Sequence, residues 1–277
     1  MVKKKYKLKW KNLIALIIFL IAFVFLIKSG IDLINYFIDT NKTNDEIKEI
    51  EDVAEVEEVP DSENTEIIKQ EEEIPESNPY WDYIKMNLIS VNFDELLKLN
   101  DETKGWIKVN GTNINYPFVQ TSNNDYYLTH SYNKSYNQAG WVFMDYRNDT
   151  ENLDRNTILY AHGMNNKTMF GSLRNILSSS WYNNTDNHII KLSTPTENTL
   201  WQVFSVYHIE TTNDYIQTEF ATDEEYQTFL DMLKGRSAVE FDTTIASTDK
   251  ILTLSTCYNK TDKVVMHAKL IKREARS

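Results

Sequence analysis

Apolar positions along this chain change their spacing three times. Residues 12–27 form an uncharged run with no polar face, and Trp10 and residues 29–31 extend it to roughly the 20 residues a bilayer core requires. Between residues 39 and 78 the pattern inverts. Asp45, Glu46, Glu49, Glu51, Asp52, Glu55, Glu57, Glu58, Glu71, Glu72, Glu73 and Glu76 crowd a stretch without aromatic residues, interrupted by Pro60 and Pro75. Self-repulsion and scarce apolar surface predict an extended stalk there, with at most a short helix carrying Ile47, Ile50 and Val53 on one face.

From Pro79 onward, short alternating segments dominate. Pro79 is suited to the first turn of a helix through Trp81, Ile84 and Leu88, and Asn92 to the cap of a second through Leu96 and Leu99. Strands are predicted over 105–109 and 112–119 around an Asn110-Gly111 turn, with Pro117 requiring an edge or a bulge. Others fall at 140–144, 157–161, 188–192, 200–207, 250–255 and 263–271. Thr222 and Glu225 form a capping box for a helix that buries Tyr226, Phe229, Leu230 and Leu233. Many short strands with few helices predict a mainly β domain, a barrel or sandwich with helical decorations.

Charge then orients these segments. Lys3, Lys4, Lys5, Lys7, Lys9 and Lys11 precede the apolar run, which places the N-terminus in the cytoplasm and the rest outside. A cleaved signal peptide usually has a shorter apolar core and a small-x-small site, which this run lacks. Three parts follow: 1–38, a basic tail and transmembrane helix in contact with membrane lipid; 39–78, the acidic stalk; and 79–277, the globular domain. The net charge of −12 argues against a nucleic-acid partner, although the stalk carries much of it.

One cysteine, Cys257, excludes a disulfide framework or a thiolate metal cluster within the chain. In the strand that leads to it, Leu252 and Leu254 share one face. Thr253, Ser255 and Cys257 share the other, more polar one. A thiol nucleophile needs a proton-transfer partner. His162 directly follows a predicted strand and opens a loop; His267, which alternates onto the outer face of its strand, stays open beside it. Asp145, Arg147 and Asp149 read as a polar turn, and no metal or cofactor is expected. The sequons at Asn133 and Asn259 matter only in a glycosylating host.

Five blocks together resemble class B sortases: Gly105-Trp106-Ile107 with Ile114-Asn115-Tyr116-Pro117 and Gln120; residues 140–147; Tyr160-Ala161-His162-Gly163-Met164; Met169-Phe170-Gly171-Ser172-Leu173; and Thr253-Leu254-Ser255-Thr256-Cys257. The resemblance covers nearly all of residues 80–271. It implies an eight-stranded β-barrel with N-terminal helices and an inserted helix near 222–234, preceded here by the transmembrane helix. It also implies a cysteine transpeptidase. Cys257 would be the nucleophile and His162 the acid and base, with Thr256 and Ser255 at the substrate. The substrate would be a surface protein with a C-terminal sorting signal, cleaved after Thr and passed to an amine of a peptidoglycan precursor or a pilin. The chain departs from the family at Lys263, which stands where the family has Arg. The rival readings are a thiol hydrolase of the same signals and a binding or scaffold protein on a degenerate sortase fold.

Overall fold

The predicted alternation builds a closed barrel. The structure, a computed structural model, describes residues 10–70, 73–149, 151–257 and 261–276, with the Cys257 side chain outside the described residues. Its strands are β1 (Glu57–Val59), β2 (Thr65–Ile67), β3 (Leu88–Ser90), β4 (Thr103–Val109), β5 (Asn115–Val119), β6 (Phe143–Met144), β7 (Asn156–Ala161), β8 (Ile189–Ser193), β9 (Glu197–Glu210), β10 (Ile251–Cys257) and β11 (Asp262–Ala275). The helices are α1 (Trp10–Ala54), α2 (Tyr80–Tyr83), α3 (Phe93–Leu99), α4 (Ser179–Tyr182) and α5 (Asp223–Gly235).

Eight strands pair in the order β10-β7-β6-β5-β4-β8-β9-β11, and β11 pairs back onto β10 to close the ring. The β7–β10 and β5–β6 pairs are parallel. Leu252, Leu254, Val264, Met266 and Ala268 point inward with Trp106, Phe118 and Leu159. Ile251, Phe204 and Val265 point outward and are covered by Tyr226, Phe229, Leu230 and Leu233 of α5. Burial on both faces explains why the middle of β9, from Leu200 to Tyr207, is largely apolar. The α5 cap forms as expected at Thr222, whose hydroxyl accepts from the Glu225 N–H at 3.1 Å. The Glu225 carboxylate reaches back one residue further than in the usual box, to the Ala221 N–H.

Several boundaries differ from the sequence pattern. The Pro79 helix ends at Tyr83, and Leu88 instead opens β3. Asn92 precedes α3 without capping it through its side chain, which donates to Glu55 at 3.0 Å. The strand expected over 140–144 shrinks to Phe143–Met144, because Gly140 (φ +59°) turns back with its N–H on the Asn137 carbonyl and the Trp141 N–H donates to the Tyr127 carbonyl. β6 meets β5 only at Val119, so Pro117 has a strand partner on one side alone, the edge a proline needs.

The acidic segment is the main departure. The chain separates into two compact units, residues 1–45 and 46–277. In the first, α1 exposes Ile14, Phe19, Phe23, Phe25, Leu33 and Phe37, and the helix is long and apolar enough to cross a membrane. The lysines of residues 1–9 lie outside the described residues. In the second, the segment from Glu46 onward is not an extended stalk. Ile50 and Ala54 are buried in the barrel unit's core, β1 pairs with β3, and β2 adds a ninth strand beside the end of β11. The acids are tolerated because they pair with buried cations: Glu58 with Lys191 at 2.7 Å and Asp61 with Lys272 at 2.5 Å. Local composition described the charge correctly but could not show these distant partners.

Candidate active site

The register of three neighbouring strands brings the predicted site together. β7 and β10 run parallel with Ala161 opposite Thr256, so His162 and Cys257 are the next residues on adjacent strands. β10 and β11 run antiparallel with Cys257 opposite Lys263. Adjacent strands lie about 4.8 Å apart, so the three backbones meet at one end of the barrel.

Around this end lies a groove of about 260 Å³, lined by Tyr160, His162, Tyr215, Ser255, Thr256 and Lys263 among others. His162 is held by the loop it opens. Phe170 N–H donates to the His162 carbonyl at 3.0 Å, and Gly163 bridges to Met169. Gly171 closes this loop so tightly that a Cβ there would sit 2.1 Å from the Met164 carbonyl oxygen. The imidazole Nε2 lies 2.8 Å from the Leu128 carbonyl. A carbonyl only accepts, so Nε2 carries a proton.

Thr256 is 2 % exposed, and its Oγ1 has no hydrogen-bond partner among the described residues. An orphaned buried hydroxyl is costly, and this one lies in the groove wall. Ser255 also reaches the groove, but its hydroxyl is engaged with the Tyr215 hydroxyl at 2.9 Å. Beside Lys263, Asp262 lies 3.3 Å from His208 Nε2.

His267 is not brought to the groove. It is fully buried between the barrel and its outer layer, and burial pushes its pKa down to about 3. It cannot serve as the base.

The sequence reading missed two walls. One is Asn124 and Leu128, from the long connection before β6. The other is Thr211, Thr212, Asn213, Tyr215 and Ile216, from the segment between β9 and α5. Both are polar connecting segments, without a periodicity that would reveal them. The polar turn at Asp145 supports both walls. Its buried carboxylate accepts from Arg147 (2.7 and 2.8 Å), the Tyr160 hydroxyl (2.9 Å) and Asn124 (3.0 Å). Burial pushes the Asp145 pKa up, yet the hydrogen bonds from Arg147 and Tyr160 outweigh it and hold the carboxyl below its ordinary range. Arg147 also donates to the Ile216 carbonyl at 2.9 Å, tying the outer wall to the barrel.

Cysteine, histidine and lysine thus stand on three adjacent strand ends of a closed barrel, residue types capable of thiol acyl transfer. A family model described as a sortase domain matches residues 107–271. Sortase B of Staphylococcus aureus is 40% identical over 184 residues, which span 65% of this chain and 75% of that protein. A crystal structure of sortase B from Bacillus anthracis in complex with AAEK1 superposes with a TM-score of 0.68 at 33% identity, covering 85% of this chain and 99% of that one. A Staphylococcus aureus sortase B–substrate complex superposes with a TM-score of 0.61 at 40% identity, covering 65% of this chain and 84% of that one. The chain belongs to the sortase family of cysteine transpeptidases, in its class B.

Proposed function

We propose that this chain cleaves a C-terminal sorting signal after a threonine and transfers the surface protein to an amine. The reading rests chiefly on the strand register that sets His162, Cys257 and Lys263 side by side. The Cys257 thiolate attacks the threonine carbonyl. As the tetrahedral adduct collapses, the C–N bond breaks, the departing amine takes a proton from His162, and a thioacyl-enzyme remains. An incoming amine then gives its proton to His162, attacks the thioester and releases Cys257.

Two groups are suited to the developing oxyanion. Lys263, in the position of the family's arginine, supplies positive charge without the planar two-pronged geometry of a guanidinium. The unpartnered Thr256 hydroxyl supplies a donor in the groove wall. The acceptor is an amine of a peptidoglycan precursor or a pilin. The apolar part of α1 anchors the chain in the membrane, with the basic N-terminus in the cytoplasm and the barrel outside. A solved sortase B with bound substrate supports a peptide ligand for the groove.

The test is incubation of the protein with sorting-signal peptides and a small primary amine, followed by mass spectrometry. The amine-linked peptide is expected. Hydrolysed peptide alone would overturn transfer, and unchanged peptide across a varied panel would overturn the reaction.

A further inference from the structure

The outer-wall segment of the groove, residues 213–217, is held at both ends by a set of polar groups, buried at its centre and partly exposed at Arg236 and Asp214. At one end, Asn156 Nδ2 donates to the Gln217 carbonyl at 2.9 Å. This leaves Asn156 Oδ1 as an acceptor, and Thr253 Oγ1 lies 2.6 Å from it. The threonine proton is therefore committed to Asn156. Thr253 Oγ1 must accept at its other contact, His267 Nδ1 at 2.9 Å, so Nδ1 carries the imidazole proton. His267 Nε2 is then an acceptor, and the Tyr207 hydroxyl, 2.8 Å away, donates to it. Beyond Tyr207 stands Arg236, whose charge acts on that hydroxyl and whose guanidinium is forked onto Asp214 at 2.9 and 2.5 Å. The set thus starts at Asp214 and ends at Gln217 of the same wall. Each proton in it has one direction.

His267 is the only member that must both donate and accept through one ring. It sits on β11, 0 % exposed, with the Phe204, Tyr207 and Tyr215 rings against it. Tyr215 itself lines the groove and bonds Ser255. We propose that His267 is a positioning residue for substrate. Through Thr253 and Asn156 on one side and Tyr207 and Arg236 on the other, it fixes the 213–217 wall against which the peptide binds. The part of this that concerns peptide binding rests on the proposed sorting reaction.

The experiment compares wild type, His267→Leu, His267→Gln and Thr253→Val by peptide kinetics, amide hydrogen exchange over 213–217, and alkylation of Cys257 by iodoacetamide. Leucine removes both hydrogen bonds. It should raise KM about two- to tenfold, the size expected for one or two lost bonds, and speed exchange in the wall. The kcat and the alkylation rate should stay near wild type. Glutamine, whose amide can donate and accept, should recover most of the KM. Unchanged KM and exchange in His267→Leu would overturn the proposal, as would alkylation falling in step with KM. If His267→Leu does not fold, the near-isosteric Thr253→Val decides by the same readouts. Should wild type not turn over any peptide, the sorting reaction fails as a reading, and the exchange measurement alone still decides whether His267 holds the wall.

Discussion

Thr256 on β10 and Ala161 on β7 are partners in a parallel pair, and each is followed by a residue of the site. That single pairing aligns His162 with Cys257 although 95 positions separate them in the chain. A shift of one residue in this register would move every β10 side chain to the opposite face and bury the wrong set. Leu252 and Leu254, fully buried inside the barrel, oppose such a shift. Leu254→Ala is expected to destabilise the fold by about 2–5 kcal/mol and to lower activity only in proportion to the unfolded fraction. Denaturant unfolding, with activity per folded molecule, checks this. A selective loss of activity in folded protein would mean that the register is set elsewhere.

Lys263, opposite Cys257 on the neighbouring strand, is the cation proposed for the oxyanion. If its ammonium stabilises the oxyanion, Lys263→Ala should lower kcat/KM by about 10²-fold, and Lys263→Arg should keep or raise it. Steady-state kinetics on a sorting peptide reads both. An alanine variant as fast as wild type would remove Lys263 from the mechanism.

The acidic segment gives a stability prediction. Lys272 is 0 % exposed and is satisfied by Asp61 together with the Ile84 and Met86 carbonyls at 2.9 and 2.6 Å. Asp61→Ala leaves a buried ammonium with neutral acceptors only, and should cost about 1–3 kcal/mol. Asp61→Asn, which retains an acceptor, should cost less. Equal melting temperatures for Asp61→Ala and wild type would show that the segment from Glu46 does not stabilise the barrel.

Acid should weaken the fold partly through His267. Its ordinary pKa of 6.5 falls to about 3 on folding, so the unfolded chain binds the extra proton between these values. The contribution is fully present above about pH 6.5 and is lost as pH falls toward 3, at up to about 1.4 kcal/mol per pH unit. His188, also pushed down by burial, and Asp145 add slopes of the same sign. Glu46 and Glu197, raised by burial, oppose them as they protonate. Unfolding free energies at pH 7 and pH 5 should therefore differ less in His267→Gln than in wild type. An identical difference would show that His267 does not stay neutral in the fold.

What the sequence made legible follows from locality. Alternation at 251–257 identified the inward leucines, and the Thr222 cap and the stripe from Tyr226 to Leu233 identified α5, because neighbours in the chain encode both. The pairing of Glu58 with Lys191, and of Asp61 with Lys272, depends on residues more than 100 positions away. For that reason the segment from Glu46 read as a solvated stalk. The groove walls at 124–128 and 211–216 were hidden similarly: polar connections acquire a role only once the barrel closes beneath them. His267 looked like an alternative base because alternation reports a face, not whether another layer covers it.

In the proposed reaction Cys257 forms a thioacyl bond with a cleaved sorting signal. Intact-protein mass spectrometry after brief mixing with a sorting peptide, without added amine, tests it most directly. The expected adduct equals the N-terminal fragment of the peptide in mass, is released by hydroxylamine and is absent from Cys257→Ala. Turnover that persists in Cys257→Ala, or an adduct carried by another residue, would contradict it.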